Sequence, residues 1–331
     1  MAAKFSDTLQ MTETIDIPQP SIDNSFKKYI PILTAICCMI SIVLFIGINL
    51  EGKLDNWEVY KKWGSPSVTD IFNGSYWGLI TSNFLHTEFW HIAFNLYWLW
   101  IFGKKIEFES KKPFYGLLIL SSALVSSLSE LSFADTTGIG LSGIGYSLFD
   151  FLFIKSKTTE AYKNYLDKRT IRLFVFWLVL CIVLTQTKAW NVGNAAHIGG
   201  LLWGMTLAYI SKFDNYKQWA VGLLLFSILA SSIFWNPLST SWLSHQAFEL
   251  HKNQKVDEAI IIYKQILSRD KDNEFAKANL KQLEVHKLQV KAVELHTNQK
   301  YNEARQVYNQ ILSIDKDNQW AKDNLKILPA E

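Results

Sequence analysis

Gly140-Leu141-Ser142-Gly143-Ile144-Gly145-Tyr146 opens one apolar segment, and Ala195-Ala196-His197-Ile198-Gly199-Gly200-Leu201-Leu202-Trp203-Gly204 opens another. A hydroxyl and an imidazole therefore each lie about two residues inside a stretch that reads as membrane-crossing, at roughly 1.5 Å of depth per residue. Polar side chains there are costly, and by default they carry function. Small residues surround both. Gly200 and Gly204 have the G-x-x-x-G spacing that lets two helices touch backbone to backbone, so these two segments should pack tightly together.

Working outward, the 331 residues divide into two unlike parts, a series of long apolar runs and a polar C-terminal stretch with helical patterning. Apolar runs cover about 29–50, 89–102, 114–133, 140–154, 171–185, 195–210 and 219–235. Several approach the roughly 20 residues that cross a bilayer, and the second, fourth and fifth look short. The expected fold is all-α, a polytopic membrane helix bundle with a soluble helical-repeat domain. Residues 1–28 read as a cytosolic N-terminal tail, 29–211 as a six-span core, 212–236 as a seventh span and 244–331 as the repeats.

Basic residues accumulate on the cytoplasmic side of membrane proteins. Lys27 and Lys28 precede the first run, Lys104, Lys105, Lys111 and Lys112 follow the second, and Lys155 through Arg172 carries six basic residues after the fourth. Lys212 and Lys217 separate the sixth and seventh. The alternate loops hold few, although Lys53, Lys61 and Lys62 in the long first loop weaken the contrast. This orientation puts the N-terminus in the cytosol and the repeats outside, in a bacterial-type plasma membrane. Trp57, Tyr60, Trp63, Tyr76 and Trp77 punctuate the first loop, as expected for a segment lying in the outer leaflet. A net charge of +3 argues against a nucleic-acid partner. Cys37, Cys38 and Cys181 form neither a disulfide framework nor a zinc-ligand spacing.

Ser142 and His197 enter from the same side, and so do His91 and Asn95, whose i,i+4 spacing puts them on one helix face. Four polar residues from three segments then share one depth. Serine needs a base to take its proton, and imidazole titrates near neutrality, so Ser142 and His197 suit a nucleophile–base pair. The Ser142 N–H, the Asn95 amide and a His91 ring N–H could hold an oxyanion.

The ordered set His86-x4-His91-x3-Asn95, Gly140-Leu141-Ser142-Gly143 and Ala196-His197-Ile198-Gly199-Gly200-x3-Gly204 resembles the rhomboid family of intramembrane serine proteases, over about 77–210. The resemblance implies a six-helix core, Ser142 as nucleophile, His197 as base and then acid, His91 and Asn95 as oxyanion donors, and Tyr146 packed on the histidine. It implies a dyad with no carboxylate, no cofactor, no metal, and transmembrane proteins as substrates within the lipid bilayer. His86 reads as a supporting residue at the boundary. The family commonly has Trp-Arg before its first histidine motif; here Gly78 follows Trp77.

Asp150 lies two turns past Ser142, about 12 Å deeper, too far to orient His197. His86, Glu88 and His91 lack the one-face spacing of H-E-x-x-H zinc sites, which disfavours a metalloprotease. A catalytically silent membrane receptor or chaperone would keep the glycines without needing the dyad. A proton-relay transporter is less consistent, since no inverted repeat is evident.

In the polar part, Ala247-Phe248-Glu249-Leu250-His251 returns as Ala292-Val293-Glu294-Leu295-His296, and Tyr263-Lys264-Gln265-Ile266-Leu267 as Tyr308-Asn309-Gln310-Ile311-Leu312, a period of about 45 residues. This is similar to tetratricopeptide repeats, of period about 34, with the helix at about 274–297 lengthened by some three turns. Asn253-Gln254 and Asn298-Gln299 stand where the turn glycine is usual. Such modules imply a peptide or protein ligand.

Overall fold

The computed structural model describes residues 24–52, 54, 56–134, 136–211 and 216–329. Most of the expected cytosolic tail, together with Lys53 and Lys212, lies outside the described residues. Every regular element among them is helical. The N-terminal half contains α1 (Asn24–Lys28), α2 (Ile32–Glu51), α3 (Trp57–Lys62), α4 (Val68–Phe72), α5 (Gly78–Thr81), α6 (Phe89–Glu109), α7 (Lys112–Phe133) and α8 (Ser142–Thr158). Then follow α9 (Lys168–Gln186), α10 (Asn194–Ile210), α11 (Tyr216–Ser231), α12 (Thr240–Lys252), α13 (Val256–Arg269), α14 (Glu274–Thr297), α15 (Tyr301–Ile314) and α16 (Gln319–Ile327).

Three stretches, Ser25–Glu51, Lys112–Phe133 and Lys168–Gln186, are long and apolar enough to cross a membrane by themselves. The other helices of the bundle fall short of that test for identifiable reasons. Helices α8 and α10 have 17 residues each, and α11 has 16. Helix α6 runs on past its apolar stretch because its charges find partners. Lys105 pairs with Glu109 at 2.6 Å, and Glu107 turns inward. The Glu107 carboxylate accepts from the N–H groups of Leu33 and Thr34, both at 2.9 Å, and from the Thr34 hydroxyl at 2.8 Å. It thereby caps α2, whose own N-cap, Pro31, supplies no side-chain acceptor. Exposed Ile36, Met39 and Val43 on α2, Val175, Phe176 and Val179 on α9, and Leu223, Leu224 and Ile228 on α11 give these helices outward apolar faces.

Helix α8 is the centre of the bundle, packed against α6, α7 and α10. Its contact with α10 is backbone to backbone. A Cβ on Gly200 would collide with the Gly143 carbonyl, and one on Gly204 with the Ser147 carbonyl. Ser147 in turn shares a buried 2.6 Å hydrogen bond with Ser122 of α7. Aromatic rings fill the space toward α6 and α9, with Phe149 and Phe174 stacked at 4.5 Å.

Helix α11 ends at Ser231, earlier than the apolar run predicts. The chain then turns, and the Asn236 amide donates to the Leu131 and Ser132 carbonyls at the end of α7. Helix α12 begins before residue 244 because the Ser239 side chain caps it through the Trp242 N–H at 3.1 Å. The 45-residue spacing survives in the packing. Ala247 and Ala292, Ala259 and Ala304, Tyr263 and Tyr308, and Ile266 and Ile311 are alike fully buried. Helix α14 is unbroken from Glu274 to Thr297 and joins the two helical pairs. Gln254 (φ 62°) and Gln299 (φ 59°) occupy the left-handed region at the turns after α12 and α14. That conformation costs a residue with a Cβ roughly 1–2 kcal/mol.

Two outcomes follow from these contacts. Gly204→Val should cost about 1–3 kcal/mol by overpacking α8 against α10, seen as an earlier midpoint on denaturant titration of the detergent-solubilised protein. Gln254→Gly should stabilise the α12–α13 pair by up to about 1 kcal/mol, seen as slower amide hydrogen exchange in those helices alone.

Candidate active site

Ser142 is the first residue of α8 and His197 lies in the first turn of α10. The backbone contact at Gly143 and Gly200 sets the two helix starts side by side. The Ser142 hydroxyl donates to His197 Nε2 at 2.7 Å. His197 is buried, and its ring lies 4.8 Å from that of Tyr146, tilted by 38°. Tyr146 is itself fixed by its hydroxyl, which donates to the Phe174 carbonyl at 3.4 Å. Among the described residues, His197 Nδ1 has no hydrogen-bonding partner.

The start of α8 is shaped by Gly140, whose φ of +102° suits glycine and whose bare Cα faces the His91 ring. The Gly140 N–H donates to the Ser82 carbonyl at 3.3 Å, tying this turn to the segment before α6. The first N–H groups of any helix lack partners within it, so those at Ser142 and Gly143 face a site where negative charge is favoured.

His86 is fully buried and acts as a clamp. Its Nδ1 lies 3.2 Å from the Phe84 carbonyl, which can only accept, so the proton sits on Nδ1. Nε2 is then an acceptor, taking the Asn95 amide at 3.2 Å and the Leu141 N–H at 3.3 Å. The second Asn95 N–H donates to the His91 carbonyl at 3.0 Å. Both Asn95 donors are therefore engaged in this state. His86 and His91 rings stand 4.8 Å apart, and His91 faces the cavity.

One residue had escaped sequence reasoning. Glu130, buried near the end of α7, accepts the Ala196 N–H at 2.9 Å, one residue before His197. The N-cap position of α10 is Gly193, which has no side chain to cap the helix, so a carboxylate from a neighbouring helix does so. The signal was available: a lone acid in the apolar run Leu128-Ser129-Glu130-Leu131. Asp150 is buried too, with Oδ2 unpartnered among the described residues; it has no hydrogen bond to His197 and does not line the cavity.

A cavity of about 1020 Å³ contains Ser142 and His197. Phe94, Trp98, Tyr146 and Trp177 line it within the bundle, and Trp57, Tyr60 and residues 65–69 wall it from the first loop. That loop folds as α3 to α5. Lys61 pairs with Asp70 at 2.7 Å, Ser67 and Asp70 form a reciprocal cap on α4, and the Thr81 hydroxyl donates to the Gly64 carbonyl at 2.5 Å. Gly78 lets Pro66 and Ile71 press onto α5, where a Cβ would clash. The loop is thus anchored by contacts that need no arginine at position 78.

Residues 73–214 match a family described as "Rhomboid domain". The chain is similar to the rhomboid protease GlpG of Salmonella paratyphi A, 24% identical over 186 residues, and of Salmonella typhi, 24% identical over 192. That of Salmonella newport is 23% identical over 192 residues. Each match takes in 56% of this chain and 65% of the relative's own length, just under two thirds. The outward apolar faces of α2, α9 and α11 agree with this match in making the chain an integral membrane protein. Between its first apolar helix and its C-terminal helices, the chain is similar to the rhomboid domain over residues 73–214.

Proposed function

We propose that this protein is an intramembrane serine endopeptidase that cuts a peptide bond in, or beside, the transmembrane segment of another membrane protein. The observation that carries the reading is the 2.7 Å hydrogen bond from Ser142 to His197 inside a cavity shared with His91 and Asn95. His197 Nε2 takes the serine proton as Oγ attacks the scissile carbonyl, then returns a proton to the departing amine. The developing oxyanion faces the Ser142 N–H at the start of α8, the His91 ring and the Asn95 amide. For Asn95 to contribute, one N–H must leave His86 or the His91 carbonyl for the oxyanion, a neutral acceptor exchanged for a charged and stronger one. Tyr146 holds the imidazole plane, and Glu130 holds the helix end that carries it.

In this reading α2, α6, α7, α8, α9, α10 and α11 cross the bilayer, with the first six forming the core. The N-terminus is cytosolic, the C-terminal helices are outside, and the membrane is of the bacterial plasma type. Support comes from the cavity mouth, walled by the first loop, residues 136–140 and residues 190–193, while the lysine-rich connections lie at the opposite helix ends. A substrate helix must unwind before cleavage, because its carbonyls are otherwise held in its own hydrogen bonds. The resemblance of α12–α16 to tetratricopeptide repeats supports a protein-binding role for those helices.

Ser142→Ala should reduce cleavage of a reconstituted single-span substrate by at least about 10⁴-fold; cleavage at the wild-type rate ends the proposal. Glu130→Ala leaves the Ala196 N–H unpaired and shifts His197, so labelling of Ser142 by a small fluorophosphonate should slow by roughly 10–100-fold. Glu130→Gln keeps an acceptor and should restore most of that rate, which a general loss of folding would not allow.

A further inference from the structure

Glu88 stands immediately before the first residue of α6, about one helical turn, or roughly 5 Å, outward of His91. A carboxylate at this end of a helix is expected to accept from its free N–H groups. Glu88 does not. It makes no side-chain cap, it is exposed, and among the described residues it has neither a hydrogen bond nor an ion pair. It lines the cavity that holds Ser142 and His197.

The surroundings of Glu88 favour a positive charge. Among the described residues, no lysine or arginine lines the cavity, and its lining carboxylates are Glu88 and Glu130. Glu130 is already engaged by the Ala196 N–H. On the neighbouring loop, Lys61 and Lys62 are paired with Asp70 and Glu51, at 2.7 and 2.8 Å. Trp57 and Tyr60 wall the same mouth, with ring centroids 5.4 Å apart and Trp57 exposed. Burial and then the charge of Glu88 hold the Tyr60 phenol above its usual range, so phenol and carboxylate are close neighbours. Lys62 lies over Trp63 instead, 5.7 Å from its centroid, and leaves the Trp57 and Tyr60 faces without a cation among the described residues. A carboxylate beside open aromatic faces attracts a lysine or arginine side chain in two ways, as an ion pair and as a cation–π contact.

We propose that Glu88, beside Trp57 and Tyr60, is the anion of a cation subsite, which favours substrates with a lysine or arginine on the outer side of the scissile bond and within about three residues of it. An extended chain advances roughly 3.3–3.6 Å per residue, so the step from His91 to Glu88 corresponds to one or two residues, and the length of a basic side chain allows one more. The subsite gives the cavity a charge preference that its aromatic part, Phe94, Trp98 and Trp177, cannot supply. Because Glu88 is exposed, the preference is moderate and weakens with salt. This rests on the proteolytic reading of Ser142 and His197.

The test uses the full-length protein in neutral detergent micelles, where the orientation of a substrate across a bilayer plays no part. Single-span substrates carry Lys, Gln or Glu in turn at each of the first few positions outside the scissile bond, and mass spectrometry checks that the cut does not move. At low salt, wild type should prefer Lys over Glu at one of those positions by at least about tenfold in kcat/KM, with Gln between them. About 0.5 M salt should reduce that ratio severalfold. Glu88→Gln should bring it to within about twofold of unity, and Glu88→Lys should invert it. Each ratio is taken within one protein, so a loss of folded enzyme cancels. Equal cleavage of the Lys, Gln and Glu substrates by wild type, or a preference for Lys that survives in Glu88→Gln, overturns the subsite. If wild type cleaves none of the substrates and a small fluorophosphonate fails to label Ser142, the proteolytic reading itself fails.

Discussion

The backbone contact between α8 and α10 is the constraint on which the rest of the structure depends. At Gly143–Gly200 and Ser147–Gly204 two helices approach so closely that no side chain fits between them. In lipid, helices gain no hydrophobic advantage from associating, so close packing and polar contacts must hold them. The result is rigid as well as close. Ser142 and His197 stand at the ends of two elements that cannot slide past one another without a steric clash, and their 2.7 Å contact follows from that register.

Buried polar side chains then finish what the glycines begin. Glu107 caps α2 from α6, and Glu130 caps α10 from α7, each replacing a cap that the local sequence does not provide. Either carboxylate would be expensive if left alone in an apolar bundle, and each instead satisfies N–H groups that would otherwise be equally costly. His86 works in the same way, joining Asn95, Leu141 and Phe84 through one ring. These residues position the proposed site without being its reacting groups.

The first loop shows how a bundle with a short polar end gains one wall of a cavity. Helices α3 to α5 are held by an ion pair, a capping box and the close fit of Pro66 on Gly78, and they form one side of the cavity. Helix α12 rests on this loop, so the C-terminal helices share a border with the cavity although they lie outside the residues that match the rhomboid family.

The apolar runs, the glycine spacing and the placement of Ser142, His197, His91, Asn95 and Tyr146 near helix starts were legible in the sequence, because depth follows from counting residues along a helix. The 45-residue period was equally legible, and α14 has the length that period requires. Helix ends were less so. Helix α6 outruns its apolar stretch because Glu107 is capped into α2, and α11 stops early because Asn236 finds α7, both partners distant in the chain. Glu130 and the docking of α12 on α4 belong to the same class. Local sequence determines which residues form helices and on which face and level they stand. Only the tertiary structure decides which buried donor meets which acceptor, because that pairing depends on separate helices brought together by packing.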